Sequence, residues 1–422
     1  MAEESILTDD FLRELMNVGE VDILIGVPTF NDAKTVGQVV QAIRAGLLKY
    51  FPRQRAVIIN VDGGSRDGTQ DLVRAASISD LNHISNLNTL RTLHSISTRY
   101  EGGPSIGPAL HTILAAADLL RATNCAIVSP DSTSFEPEWI ERLLRPVVRD
   151  NVDLVTPIYR RHKFDGLLVS TLVYPMTRAL YCKRVREPHP SDFAFSGRLA
   201  THFLEQDLWE QEACRIGAET CLTLAAINGG FRLSQSFLGE RARAEHAPSD
   251  LVLAMRQTVG VLFWSMEASM PSCSPTTESE PVPTIGVEHE VSLEPLRINR
   301  KRLHQMFVHG VSELEPILRS ILSDSTLSEL RQVANIPEDD FRYSDELWVR
   351  TVYEFAASYH KAVISRDHIL QALAPLYRGK AYTFLVQNRE ASADQVEQNV
   401  EQLCLTFEQT KPYLLEMWNG RK

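Results

Sequence analysis

The feature that most constrains this chain is a unit repeated between Asp22 and Arg161: a short Ile- and Val-rich run, a polar loop, then a helix-compatible stretch. DILIGVPTF (Asp22–Phe30) is followed by Asn31, Asp32 and Thr35, which can cap the helix suggested by VGQVVQAIRAGLL. AVIINVDGG (Ala56–Gly64) leads through Ser65–Thr69 into DLVRAAS, and HSISTRY (His94–Tyr100) leads through a Gly-rich loop into PALHTILAAADLLRA. CAIVSPD (Cys125–Asp131) precedes PEWIERLLRPVV, and DLVTPIYRR (Asp153–Arg161) supplies a fifth strand. Alternation of this kind predicts a parallel sheet. In open α/β sheets ligands bind where the strands end, so the loops Thr29–Asp32, Asp62–Thr69, Glu101–Gly107 and Ser129–Ser134 are the places to look for a site.

At 422 residues the chain exceeds what one hydrophobic core usually organises, and two domains are expected. The stretch 267–295, rich in Pro, Ser, Thr and Glu and without periodicity, reads as a linker or crossing arm. It separates an α/β domain (1–266) from a tail (296–422) whose amphipathic patterns predict a smaller α-helical domain. Such helices must bury their apolar stripe, which points to homodimerisation. A formal charge of -11 gives no basic footprint for nucleic acid. No apolar run is long enough to span a membrane, and MAEESILTDDFLREL lacks the basic start of a signal peptide, so a cytoplasmic protein is expected. The six cysteines show no CxxC spacing and read as reduced thiols.

Asp62 ends a strand and is followed by Gly63, Gly64 and Ser65. A carboxylate there can accept from a base or a ribose hydroxyl, while glycines let backbone N–H groups approach a ligand. The same spacing also suits a tight turn that caps the next helix.

Pro28-Thr29-Phe30-Asn31-Asp32, followed by VDGGSRDGT, resembles the pair of signatures that open glycosyltransferases of the GT-A fold. The resemblance implies a Rossmann-like nucleotide-sugar-binding domain in which Pro28, Thr29, Phe30, Asp32, Asp62, Gly63, Ser65 and Gly107 hold the donor. In place of that family's Gly-Lys-Gly loop stands Tyr100–Leu110, without the lysine. In place of its Asp-x-Asp metal motif stands Ser129-Pro130-Asp131. Transferases of this type use a divalent cation on the leaving diphosphate, and Mg²⁺ can manage with one protein carboxylate plus waters and phosphates. Gly217-Ala218-Glu219-Thr220 and the later FRLSQSFLGERARAEHAP resemble one branch, the glucosyl-3-phosphoglycerate, mannosylglycerate and glucosylglycerate synthases. That likeness implies that His246 joins Asp131 on Mg²⁺ or Mn²⁺, and that Glu219 positions the acceptor and could activate its hydroxyl. Arg241 and Arg243 would face the phosphates, unless they form a solvated strand end. Arg160, Gly166 and Thr171 fall where the branch holds the acceptor, with Leu167 where a second basic group is expected. An unphosphorylated acceptor such as D-glycerate is therefore favoured over 3-phosphoglycerate. Asp192, in Pro190–Arg198, would bind sugar hydroxyls or else sits in a polar turn before a helix.

Together these readings imply a retaining hexosyltransferase that makes a glucosylglycerate- or mannosylglycerate-type compatible solute. A nucleotidyltransferase commonly opens with a Gly-rich basic loop, which Pro28–Lys34 is not. A non-catalytic nucleotide-sugar- or carbohydrate-binding protein is the stronger rival, given the missing aspartate and lysine.

Overall fold

The computed structural model describes residues 6–78, 93–100, 105–160, 162–206, 208–242, 250–270, 278–286 and 300–420. The strands are β1 (Ile23–Thr29), β2 (Ala56–Asp62), β3 (Leu93–Arg99), β4 (Asn124–Ile127), β5 (Leu154–Arg160), β6 (Lys183–Arg184), β7 (Phe193–Ser196), β8 (Leu233–Glu240), β9 (Glu280–Pro281) and β10 (Thr284–Ile285). Eight of them form one sheet in the order β10-β8-β5-β7-β4-β1-β2-β3. Every pairing is parallel except those of β7, which runs antiparallel between β4 and β5. This is the α/β, Rossmann-like architecture that the alternation predicts.

Both faces of the sheet are covered, which is why β1 and β2 are largely apolar and buried at every position. Ile23, Ile25 and Val27 pack with the Val36–Tyr50 and Pro137–Asp150 helices on one face. Leu24, Val57 and Ile59 pack with the Ile106–Leu119 helix on the other.

The chain divides into two compact units, each assembled from three segments. The sheet unit comprises 1–160, 189–247 and 282–292; the other comprises 161–188, 248–281 and 293–422. The boundaries expected from composition, 1–266 and 296–422, therefore differ from the spatial division. Part of the expected linker is also strand. Thr284 and Ile285 pair with Gln235 and Ser236 of β8, and Gln235 donates its backbone N–H to Pro283 O at 2.8 Å. Prolines fit such a strand because it lies at the sheet's edge.

The second unit is helical, with long helices at Asp345–Lys361, Arg366–Gln387 and Ala393–Trp418. Its interior holds charge as well as apolar surface. The fully buried Arg178 guanidinium pairs with Glu401 and with Glu408, whose Oε1 is 2.8 Å from Nε.

The expectation that all the cysteines are reduced thiols is corrected. Cys214 and Cys221 form a disulfide with Cα atoms 5.6 Å apart; Cys125, Cys182 and Cys404 are not disulfide-bonded, and Cys273 lies outside the described residues. The two partners flank the break at Gly217 between the Glu212–Ile216 and Ala218–Asn228 helices, so chain reversal joins positions that no CxxC pattern marks. Such bonds persist in oxidising compartments, which weighs against the cytoplasmic expectation. Among the described residues no helix is long and apolar enough to cross a membrane.

Candidate functional site

The strand ends of the sheet unit carry two linked clusters. The first joins the loops after β1 and β2. Asn31 adopts φ 58°, a left-handed conformation that Asn tolerates better than most residues, and its side-chain oxygen accepts the Arg66 N–H at 3.0 Å. Asn31 N–H donates to Ser65 Oγ (2.8 Å), Asp32 N–H to Thr69 Oγ1 (2.9 Å), and Ala33 N–H to Asp67 Oδ2 (3.0 Å). Burial pushes the Asp67 carboxyl up, but hydrogen bonds from Thr69 and Ala33 outweigh this and hold it below its ordinary value. The Asp32 carboxylate accepts the Phe30 N–H at 2.8 Å. Behind these loops Tyr100 sits against Gly63, where a Cβ would fall 2.6 Å from its hydroxyl oxygen, and that hydroxyl accepts the Ser105 N–H at 2.9 Å.

Asp62 is fully buried within this cluster. Its Oδ1 accepts from Thr29 Oγ1 (3.0 Å) and Ser65 Oγ (2.5 Å). Its Oδ2 accepts from Gly64 N–H (3.0 Å), Ser65 N–H (2.8 Å) and Gln70 Nε2 (3.1 Å). Of the two readings that the spacing left open, the turn-forming one describes this carboxylate. Pro28 and Thr29 are likewise buried, whereas Phe30 is exposed.

The second cluster exists because β7 is antiparallel: its beginning lies where its neighbours end. Asp192, just ahead of β7, is thereby brought to the loop after β4, and its Oδ1 accepts the Ser129 N–H at 2.9 Å. The other end of the cluster is fixed by Ser134, whose hydroxyl donates to Glu240 O at 2.8 Å and accepts the Ala242 N–H at 2.9 Å. This places Arg241 between two carboxylates, Nη2 at 3.0 Å from Asp131 Oδ1 and Nη1 at 3.3 Å from Asp192 Oδ2. Tyr159 hydroxyl donates to Asp192 Oδ2, and Ser129 Oγ donates to Asp131 Oδ1 at 2.6 Å. Burial disfavours the Arg241 charge, but Tyr159, Asp192 and Asp131 outweigh it and raise its pKa. The side chain of Asp131 keeps 23% exposure, against 2% for Arg241 and none for Asp192. The polar-turn alternative for Asp192 is corrected to a buried acceptor that precedes a central strand.

Glu219 lies in the first turn of the Ala218–Asn228 helix. Its surroundings connect to the same edge: Ser105 Oγ donates to Arg215 O (2.6 Å), Gly107 packs so closely that a Cβ would be 2.5 Å from that oxygen, and Thr220 Oγ1 is 2.9 Å from His189 Nδ1. Glu219 Oε2 is enclosed without a hydrogen-bond partner, and burial pushes the carboxyl up to about 7. A carboxyl poised there can exchange a proton near neutrality.

The remaining expected residues are Arg160, Gly166, Thr171, Arg243 and His246. Arg160 ends β5 at this same edge, paired in register with Glu240 and partly exposed. Gly166 and Thr171 belong to the helical unit, where Thr171 is fully buried and its hydroxyl donates its proton to Leu167 O at 2.7 Å. Arg243 and His246 lie outside the described residues.

Arg241 stands where a divalent cation would meet Asp131, and His246, the second expected ligand, lies outside the described residues. Asp131 is the cation's single expected carboxylate and lies beside a guanidinium, whose fixed charge opposes a cation. No group of three His, Cys, Asp or Glu able to hold a metal occurs among the described residues. Sequence reading missed Tyr159 as the partner of Asp192 and Gln70 as a donor to Asp62; only the three-dimensional pairing identifies either.

Fold and strand-end loops together define a Rossmann-like α/β unit. Solved structures similar to this chain include glucosyl-3-phosphoglycerate synthase from Mycobacterium tuberculosis in complex with phosphoglyceric acid, at 20% identity over 64% of this chain and 86% of that chain, with a TM-score of 0.42. The same enzyme in complex with Mg²⁺ and uridine diphosphate matches at 20% identity over 61% and 83%, with a TM-score of 0.43. In complex with Mn²⁺, uridine diphosphate and glucosyl-3-phosphoglycerate it matches at 20% identity over 64% and 86%, with a TM-score of 0.43. No family model matches the chain, and no curated protein matches it. At this level of likeness the activity has to be read from the chain's own residues.

Proposed function

We propose that this chain is a retaining hexosyltransferase that moves glucose or mannose from a nucleoside diphosphate sugar to a small hydroxy acid, with D-glycerate the leading acceptor and 3-phosphoglycerate the alternative. The observation that carries the reading is the gathering of Asp131, Asp192 and Arg241, from three separate segments, at the strand ends of the sheet that also carries the interlocked loops Phe30–Ala33 and Asp62–Thr69. Asp131, the partly exposed member, would face the sugar or its diphosphate, while Asp192 and Arg241 hold it in place. Glu219 would orient the acceptor and take its hydroxyl proton. Stabilisation of the leaving diphosphate is the largest catalytic demand. To hold Mg²⁺ or Mn²⁺ together with His246, Asp131 would have to leave Arg241. The acting form is read as a homodimer.

The test is incubation of the full chain with each common nucleoside diphosphate sugar, with D-glycerate, 3-phosphoglycerate or neither, in Mg²⁺, Mn²⁺ and chelator arms. Acceptor-dependent release of diphosphate that Asp131→Ala lowers by about 10²-fold or more supports the reading. The saturated Asp62 and the paired Asp131 favour one second reading, a nucleotide-sugar-binding protein without turnover. Donor binding with no product under any condition would select it.

A further inference from the structure

The Cys214–Cys221 bond is placed where it does little for the fold and much for one side chain. A chain of 422 residues buries enough apolar surface to fold without a staple, and a loop closed over a separation of seven positions lies at the low end of what cross-linking contributes. Glu219 lies inside that closed loop, in the first turn of the Ala218–Asn228 helix, and burial is what lifts its carboxyl to about 7.

The other arm of the loop is the Glu212–Ile216 helix, whose five residues fall well short of the length that holds a helix together unaided. It is tied down by the disulfide and through Arg215, whose carbonyl accepts from Ser105 Oγ at 2.6 Å and whose backbone packs against Gly107. Cys214 and Cys221 are buried, at 1% and 3% exposure, yet Gln211, Glu212 and Arg215 along the short helix are exposed. An element so short and so open on its outer face belongs to the part of a fold that opens locally while the core stays shut.

We propose, resting on the transferase reading above, that this bond is a redox switch: as a disulfide it latches the Glu212–Ile216 helix against the Glu219 turn and permits acceptor activation, and as two thiols it lets that helix lift, wets Glu219 and shuts transfer down. The reductant is a dithiol, either a small molecule or a protein. One of its thiolates attacks a sulfur of the bond to give a mixed disulfide, and its second thiol then displaces the protein. Two electrons and two protons thereby pass to Cys214 and Cys221 as the reductant closes into its own disulfide. Exchange in the reverse direction restores the latch.

The test compares the full chain oxidised, reduced with dithiothreitol and reoxidised, with Cys214→Ser/Cys221→Ser as the form that cannot close. Alkylation and mass spectrometry count the thiols, and circular dichroism follows the fold. Reduction and the double variant should each lower acceptor-dependent diphosphate release by about tenfold or more, with reoxidation restoring the wild type alone. The enclosed Glu219 favours the neutral acid, so the denaturation midpoint of the oxidised chain should fall as pH rises through 7, and both open forms should lose that response. This second readout needs no turnover. If no form transfers sugar but reduction still abolishes the pH response, the latch on Glu219 stands and the transferase reading falls. A bond that dithiothreitol leaves intact in the folded chain, a pH response unchanged by reduction, or an active enzyme indifferent to reduction would overturn the switch and leave the transferase reading standing. So would loss of fold in the reduced wild type and in Cys214→Ala/Cys221→Ala alike, since the bond would then be a staple.

Discussion

Glu219 shows what burial does to a single residue. Its carboxyl is pushed up to about 7 from an ordinary 4.5, so the fold favours the neutral acid. The unfolded chain ionises first as pH rises. Stability is therefore full below about 4.5 and falls as pH climbs through 7, by an amount on the order of 3 kcal/mol. Glu219→Gln should flatten that dependence, measured as denaturant midpoints between pH 4 and 8. If Glu219 takes the acceptor proton, transferase activity should rise through pH 7 in the wild type and lose that inflection in the variant. Asp62 was legible as a candidate from its place at a strand end, and Asp131, Asp192 and Glu219 only through the family resemblance. What each carboxylate faces was not. Asp62 turns into its own loop, and a turn and a ligand site have the same spacing.

Among the elements, the regular βα units were readable, since apolar runs followed by capping residues carry their own period. The strand Phe193–Ser196 was not: four residues inserted antiparallel between distant partners leave no local signature, and the polar residues before it resemble a turn. The disulfide escaped for the same reason, because the break at Gly217 makes neighbours of Cys214 and Cys221. A bond closing so short a loop contributes about 2.5 kcal/mol by restricting the unfolded chain. Cys221→Ser should therefore lower the denaturation midpoint by that equivalent. If dithiothreitol reaches the buried bond, it should lower the wild type by a like amount and leave the variant unchanged. An unchanged midpoint in Cys221→Ser would mean that packing alone holds the two helices.

For the whole molecule, the interleaving of the two units defeats a division read from composition. A Pro- and Ser-rich stretch announces a boundary only when the chain passes it once, and here each unit takes three segments. A fragment ending at residue 266 keeps 161–188 without most of the helical unit and loses the edge strand Thr284–Ile285. We expect it to be aggregated or poorly folded beside the full chain, judged by size-exclusion chromatography and thermal melting. A monodisperse, cooperatively melting 1–266 fragment would show the sheet unit to be autonomous.

The same threading orders events during synthesis. When β5 leaves the ribosome, β7 and β8, the two strands that flank it in the finished sheet, have not been made, and β10 follows later still. The nascent sheet must wait with unpaired edges, a state in which strands invite wrong partners. Early on, then, this protein's vulnerability is one of timing, and chaperone dependence and slow refolding from denaturant are the traits to expect of it.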